Sequence, residues 1–231
     1  MRSQAGFTLI EIAIVMVIIG LLLGGVLKGQ ELINSARMRN VIAQQDGVKA
    51  AYFGFLDRFR MPPGDYHQAT THIAGATTNG NGNGQIQSVL GGGAVDEHIA
   101  VWEHLSRAGF NNGAYTYAAL PETSGSTPAS VYGYVRYIQL IFDSVYGTGG
   151  GVMRHNIKTG NQIPAQILAE IDRKVDDGNP LGGDFQFSNY NGGAGGTAPI
   201  PTGVGGCYAV GPTPYWGDPS VTNCGAATLL R

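Results

Sequence analysis

The sequence predicts an α+β fold: one long amino-terminal helix followed by a glycine-rich head. Three observations carry this prediction. Phe7–Leu27 is a 21-residue apolar run with a single charge, Glu11, and no proline. From Glu31 to Phe59 proline is again absent, and Val41, Val48, Tyr52, Phe55 and Phe59 recur at spacings of seven, four, three and four, one stripe of a helix. Beyond Pro62, short helix and strand patterns alternate with glycine-rich connections.

Composition narrows the function classes. The chain has 231 residues, enough for one sizeable core or one domain with an appendage. Charged residues make up 13%, against roughly 25% in an average soluble domain, which excludes a solvated charged tail protein. With 37 Gly and 11 Pro, the composition also argues against a helix bundle over most of the length, because glycine weakens helix interiors. A net charge of −2 gives no strong case for nucleic acid, whose binders show a basic face.

The apolar run comes first in the chain. At ~1.5 Å per residue it is about 30 Å long, the thickness of a bilayer core. It is too long for the apolar stretch of a secretory signal, and KGQELINSARM after it lacks a small-residue cleavage pattern. Glu11 is the anomaly. A carboxylate in hydrocarbon costs several kcal/mol and marks a functional position by default. The alternative is that Glu11 sits near the membrane edge and snorkels to water.

The first twenty residues, MRSQAG-FTLIEIAIVMVIIG, resemble the amino terminus of type IV prepilins and type II secretion pseudopilins. The resemblance covers about thirty residues, and its implications are these. Met1–Gly6 is a leader with Arg2 as its positive charge. A prepilin peptidase cuts between Gly6 and Phe7 and methylates the new amine of Phe7. Glu11 is then the assembly glutamate, set to neutralise the terminal amine of a neighbouring subunit. Phe7 and Glu11 stand i and i+4 and share a helix face. An unmatched charge in a filament core is costly, while a paired one is tolerated. The implied partners are the peptidase, other pilin or pseudopilin subunits, the inner-membrane assembly platform, and the membrane before assembly. The implied location is the bacterial inner membrane, single pass with the head outside the cytoplasm, then a periplasmic or extracellular filament.

The charges on the flanks oppose that orientation. Only Arg2 precedes the span, whereas Lys28, Arg37, Arg39, Lys49, Arg58 and Arg60 follow it, and the positive-inside rule taken alone places the carboxyl side in the cytoplasm. The leader must meet a cytoplasm-facing peptidase, so the family orientation is preferred. The organisation expected is leader 1–6, membrane and assembly helix 7–28, amphipathic continuation 29–60 and head 61–231. Many type IV pilins carry proline where this chain has Lys28. Gly24, Gly25 and Gly29 surround that position, and the helix is expected either to loosen there or to treat them as ordinary membrane-helix content. Gly20 and Gly24 also fit a small-xxx-small contact face.

In the head, Asp96–Ala108 reads as an amphipathic helix with Ile99, Trp102 and Leu105 on one side and Gly109 as its cap. Val131–Phe142 is the best strand candidate, being aromatic and β-branched. Ile163–Val175 reads as a second helix with Pro164 in its first turn and isoleucines every four residues. Phe185 and Phe187 suggest another strand, and long loops are expected at 75–95 and 188–206. The resemblance implies a small antiparallel sheet laid over the long helix. Cys207 and Cys224 read as one disulfide closing a loop near the carboxyl end, in keeping with an exported domain and with the cysteine loops of type IV pilins. Two unpaired thiols are the alternative, and zinc is weaker still for want of further ligands.

Sites for chemistry are sparse. Asn79, Asn81 and Asn83 alternate as in a calcium loop, but position twelve is Leu90 instead of glutamate and no carboxylate is present, so a turn-rich loop is preferred to calcium. Asp172, Asp176 and Asp177 form an acidic group that reads as a solvated helix end. His98 and His104 stand six apart on one helix and point to different faces. No nucleophile elbow, phosphate loop or zinc-binding helix motif occurs, and the expectation is no enzyme and no cofactor. The function expected is a structural subunit of a type IV pilus-like or type II secretion pseudopilus filament. The alternative is a minor tip or surface pilin whose head recognises a ligand such as DNA, a surface or an exported substrate.

Overall fold

The computed structural model describes residues 8–88, 95–132, 136–149 and 151–231. The chain divides into two compact units, Met1–Arg37 and Met38–Arg231. Helix α1 (Leu9–Phe59) contributes to both.

In the first unit α1 is exposed over nearly its whole length, with Leu9, Leu21 and Leu27 each more than two-thirds accessible. The helix is long and apolar enough to cross a membrane, and none of its most apolar window is buried. Gly20, Gly24, Gly25 and Gly29 lie inside it without a break, and a Cβ at any of them meets nothing within 4 Å. No loosening occurs at these glycines. Their cost to an isolated helix, ~1 kcal/mol each, is spread over an otherwise strongly helical run.

The second unit is an α+β head. After α1 come α2 (Ala69–His72), α3 (Glu97–Arg107), β1 (Gln139–Asp143), β2 (Arg154–Lys158), α4 (Ala165–Val175), β3 (Phe185–Phe187), β4 (Tyr208–Ala209), β5 (Tyr215–Trp216) and β6 (Ala226–Leu229). Four strands form an antiparallel sheet in the order β1-β2-β6-β3, and β4 pairs with β5 in a separate hairpin. Opposed residues share a face. Leu140, Ile157, Thr228, Ala226, Phe185 and Phe187 therefore line one side, and Gln139, Asp143, Asn156, Lys158, Ala227 and Leu229 the other.

Two apolar cores fill the head. In one, Tyr52 and Phe55 of α1 pack with Trp102 and Leu105 of α3 and with Leu140 and Ile157 of the sheet. In the other, Met38 and Val41 pack with Ile167 and Ile171 of α4, Phe185, Phe187 and Trp216. The expected α1 stripe is the buried one: Phe55 is fully buried and Val41 1% exposed. The stripe serves as core.

Several elements depart from expectation. The strand expected over Val131–Phe142 begins at Gln139. Before it, Ser130 N–H donates to the Arg136 carbonyl at 2.6 Å and Ala129 bridges Tyr137, which folds the segment into a local turn; residues 133–135 lie outside the described part. Helix α4 starts two residues later than expected, because Ile163 exchanges backbone hydrogen bonds with Cys224 and Pro164 is extended at φ −59°, ψ 139°. Ile167 and Ile171 are buried, but Val175 is 48% exposed at the helix end. Helix α3 is buried on more than one face: His98, Glu103 and His104 are as inaccessible as Ile99, Trp102 and Leu105. Gly109 follows its end at φ +83°, the left-handed position that favours glycine.

Candidate functional site

The start of α1 is held by a reciprocal cap. Thr8 precedes the first helical residue, Leu9, and Glu11 is the third residue of the helix. The Thr8 backbone N–H and hydroxyl each donate to Glu11 Oε2 at 2.8 Å, and the Glu11 N–H donates to Thr8 Oγ1 at 3.3 Å. Two backbone donors that would otherwise have no partner are thus satisfied by the two side chains of a Thr-x-x-Glu frame. The carboxylate also lies at the positive end of the helix dipole. One oxygen, Oε2, takes both bonds from Thr8. Gly6 and Phe7 lie outside the described residues.

This arrangement holds the Glu11 carboxylate with groups of its own chain. In the sequence Glu11 stands out as a lone charge, whereas Thr8 is easily passed over. Thr8 carries a signal of its own, since Ser/Thr three residues ahead of Glu or Gln, before an apolar run, is a helix-start pattern.

Against that geometry stands one match. Residues 1–27 match the prokaryotic N-terminal methylation motif. It is the type IV prepilin and pseudopilin signal, and with the apolar helix behind it the motif fits membrane anchoring. No curated protein and no solved structure matches the chain.

The head holds the remaining sequence candidates. Cys207 and Cys224 form a disulfide with Cα atoms 5.6 Å apart, both fully buried in the core around α4, and the β4–β5 hairpin lies inside the loop they close.

The asparagine loop is organised by two carboxylates that lie outside the calcium-loop pattern. Asp65 Oδ1 accepts the N–H groups of Gly82 and Asn83 at 2.7 and 3.0 Å, and its Oδ2 accepts that of Gly84 at 2.8 Å. Glu97 accepts from Asn81 and Gln87, at 2.9 and 3.0 Å. Asp65 and Glu97 are buried, and burial pushes both carboxyls above the usual range against the pull of those N–H groups. The side-chain oxygens of Asn79, Asn81 and Asn83 accept from Thr70, Asn83 and Gln85 respectively. Donors point at an internal anion here, where a cation loop would present oxygens. Leu90 lies outside the described residues.

Asp172, Asp176 and Asp177 do converge, with one oxygen of each inside a 4.8 Å group. Asp172 is fully buried. It accepts Trp216 Nε1–H at 2.7 Å and the Gly178 N–H at 3.2 Å, and burial pushes its carboxyl up to about 6. Asp176 Oδ2 accepts the N–H groups of Asp184 and Phe185. The solvated helix end is therefore a partly buried turn that fastens α4 to β3 and β5.

His98 and His104 have separate duties. His104 Nδ1 accepts the Gly64 N–H at 2.9 Å and Nε2 lies 3.0 Å from the Thr78 carbonyl, and burial lowers its pKa. His98 Nε2 lies 3.6 Å from Glu122 Oε1. On the outer face of the sheet, buried Lys158 pairs with Asp143, and Asn156 donates to the same carboxylate at 2.9 Å.

Proposed function

We propose that this chain is a structural subunit of a type IV pilus-like or type II secretion pseudopilus filament. The match of residues 1–27 to the methylation motif carries the reading. Prepilin peptidase cuts between Gly6 and Phe7, and the exposed apolar helix holds the protein in the inner membrane with its head outside the cytoplasm. Assembly then transfers that helix from lipid to the filament, where it packs against the helices of other subunits. Glu11 Oε1, which takes no bond from Thr8, is the atom offered to a neighbour's Phe7 amine. The disulfide in the head agrees with an oxidising compartment.

The test is the amino terminus and the location of the native protein. Mass spectrometry should show a chain starting at Phe7 and methylated there, and the protein should appear in sheared filaments. A chain that keeps Met1 in cells with active peptidase would refute the reading.

A further inference from the structure

A second site lies in the head, on the side of β1 where Gln139 stands. A cavity of about 470 Å³ opens there. It is shallow and largely open to solvent, so it suits a ligand held by one face or one end. Its floor is polar and buried: Gln139 and Glu122 are each 8% exposed and His98 is 2% exposed. Such groups are normally satisfied inside the fold. Among the described residues no hydrogen bond engages the Gln139 carboxamide, and His98 Nδ1 is buried without a partner. Glu122 is held from behind: Tyr190 OH donates to Oε1 at 3.3 Å and His98 Nε2 lies 3.6 Å from the same atom.

The glycine loop beside the cavity is shaped to leave that floor open. Gly193 has φ +88°, and a Cβ there would sit 3.3 Å from Glu122 Oε2 and 2.9 Å from the Tyr137 ring. Any other residue is strained and encroaches on Glu122 Oε2. Asn191 Oδ1 accepts the Gly193 N–H at 3.0 Å, which leaves the Asn191 amino group as a donor at the rim. Leu120 and Pro121 supply an apolar wall.

The donor set selects the ligand class. A carboxylate and the absence of Lys and Arg among the lining residues disfavour an anion. Only one carboxylate lines the site, and Glu122 Oε1 already accepts from Tyr190, which weakens it for a metal cation. The Gln139 carboxamide, which both donates and accepts, the Asn191 amino group, one carboxylate oxygen and an apolar wall match the alternating hydroxyls and C–H face of a sugar ring.

We propose that this cavity binds a neutral pyranose, free or at the end of a glycan, with Gln139 and Glu122 Oε2 on its hydroxyls. The proposal is independent of how the amino-terminal helix assembles.

The test uses the full chain in a sugar-free zwitterionic detergent. Methyl glycosides of glucose, galactose and mannose, and N-acetylglucosamine, are titrated by saturation-transfer NMR. At least one should receive saturation and shift the backbone amides of Gln139 and Gly193 in the wild-type protein. Gln139→Leu should raise its apparent Kd about tenfold, the loss of one hydrogen bond of ordinary strength. Gly193→Ala should weaken it similarly, and Tyr215→Ala, remote from the cavity, should leave it unchanged. Thermal melts confirm that each variant is folded. Failure of all four sugars to bind the wild type, amide shifts elsewhere, or equal affinity in a folded Gln139→Leu overturns the proposal. Binding of methylammonium in place of the sugars overturns the ligand class.

Discussion

Glu11 can be divided into its two parts by substitution. Glu11→Gln keeps a side-chain oxygen at the same reach, so the Thr8 N–H and hydroxyl, both 2.8 Å from Oε2, retain their acceptor. Glutamine serves in this frame as glutamate does. The charge is lost. Thr8→Val does the opposite: it keeps the carboxylate and the β-branched shape but removes the hydroxyl that donates to Glu11 and accepts its N–H at 3.3 Å. Loss of a cap costs ~0.5–2 kcal/mol, in helix start alone. In the proposed filament, an amine of Phe7 buried without its partner would cost ~3–5 kcal/mol in each subunit. If charge neutralisation governs assembly, Glu11→Gln is processed normally, accumulates in the membrane and is absent from sheared filaments, whereas Thr8→Val assembles at reduced yield. Quantitative immunoblotting of membrane and sheared fractions reads both variants in one experiment. Wild-type assembly of Glu11→Gln, with Thr8→Val blocked, would show that capping is the whole role of Glu11.

Further outcomes concern the head, and both buried tryptophans, Trp102 and Trp216, report on it alone. Replacing Cys207 or Cys224 by Ser should lower stability in denaturant by ~2–5 kcal/mol, and a loss below ~1 kcal/mol would show that the closed loop is ordered without its bridge. Asp65→Ala leaves the Gly84 N–H without its acceptor, while Gly82 and Asn83 keep the Asp65 carbonyl and Asn81 Oδ1, and should cost ~1–3 kcal/mol with accelerated proteolysis in that loop. Burial between Tyr52 and Phe142 pushes the His155 pKa down to about 4, so the unfolded chain binds more protons between about pH 4 and 6.5 and this contribution is lost as pH falls through that window. Asp172, raised to about 6, acts with the opposite sign between about pH 4 and 6. His155→Gln keeps an acceptor for the Ile86 N–H and leaves Asp172 in place, so the stability gap between wild type and variant should shrink by ~1–2 kcal/mol from pH 7 to pH 4. A gap independent of pH would refute the assignment.

Patterns that repeat along a single helix are legible in the sequence. The apolar run, the lone Glu11 and the stripe of Val41, Val48, Tyr52 and Phe55 depend only on local spacing, because a helix satisfies its own backbone and its period is fixed. The stripe of helix α3 and the alternating Phe185 and Phe187 are likewise local spacings, although the backbone partners of that strand come from β6. Strand β2 is not. Its sequence, Arg-His-Asn-Ile-Lys, reads as surface, yet Asn156 and Lys158 are buried, because Asp143 arrives from β1 to pair with both. Strand β6, Ala-Ala-Thr-Leu, has a weak pattern of its own and becomes the centre of the sheet only because β2 and β3 flank it. Likewise, the glycines of the asparagine loop are plain in the sequence, but the buried carboxylates around which it closes are not. The amino-terminal motif is local chemistry, and the sequence alone determined it. Where a side chain's partner lies far along the chain, as with Asp65, Lys158 and Glu122, its free energy is set by groups that only the tertiary fold brings together.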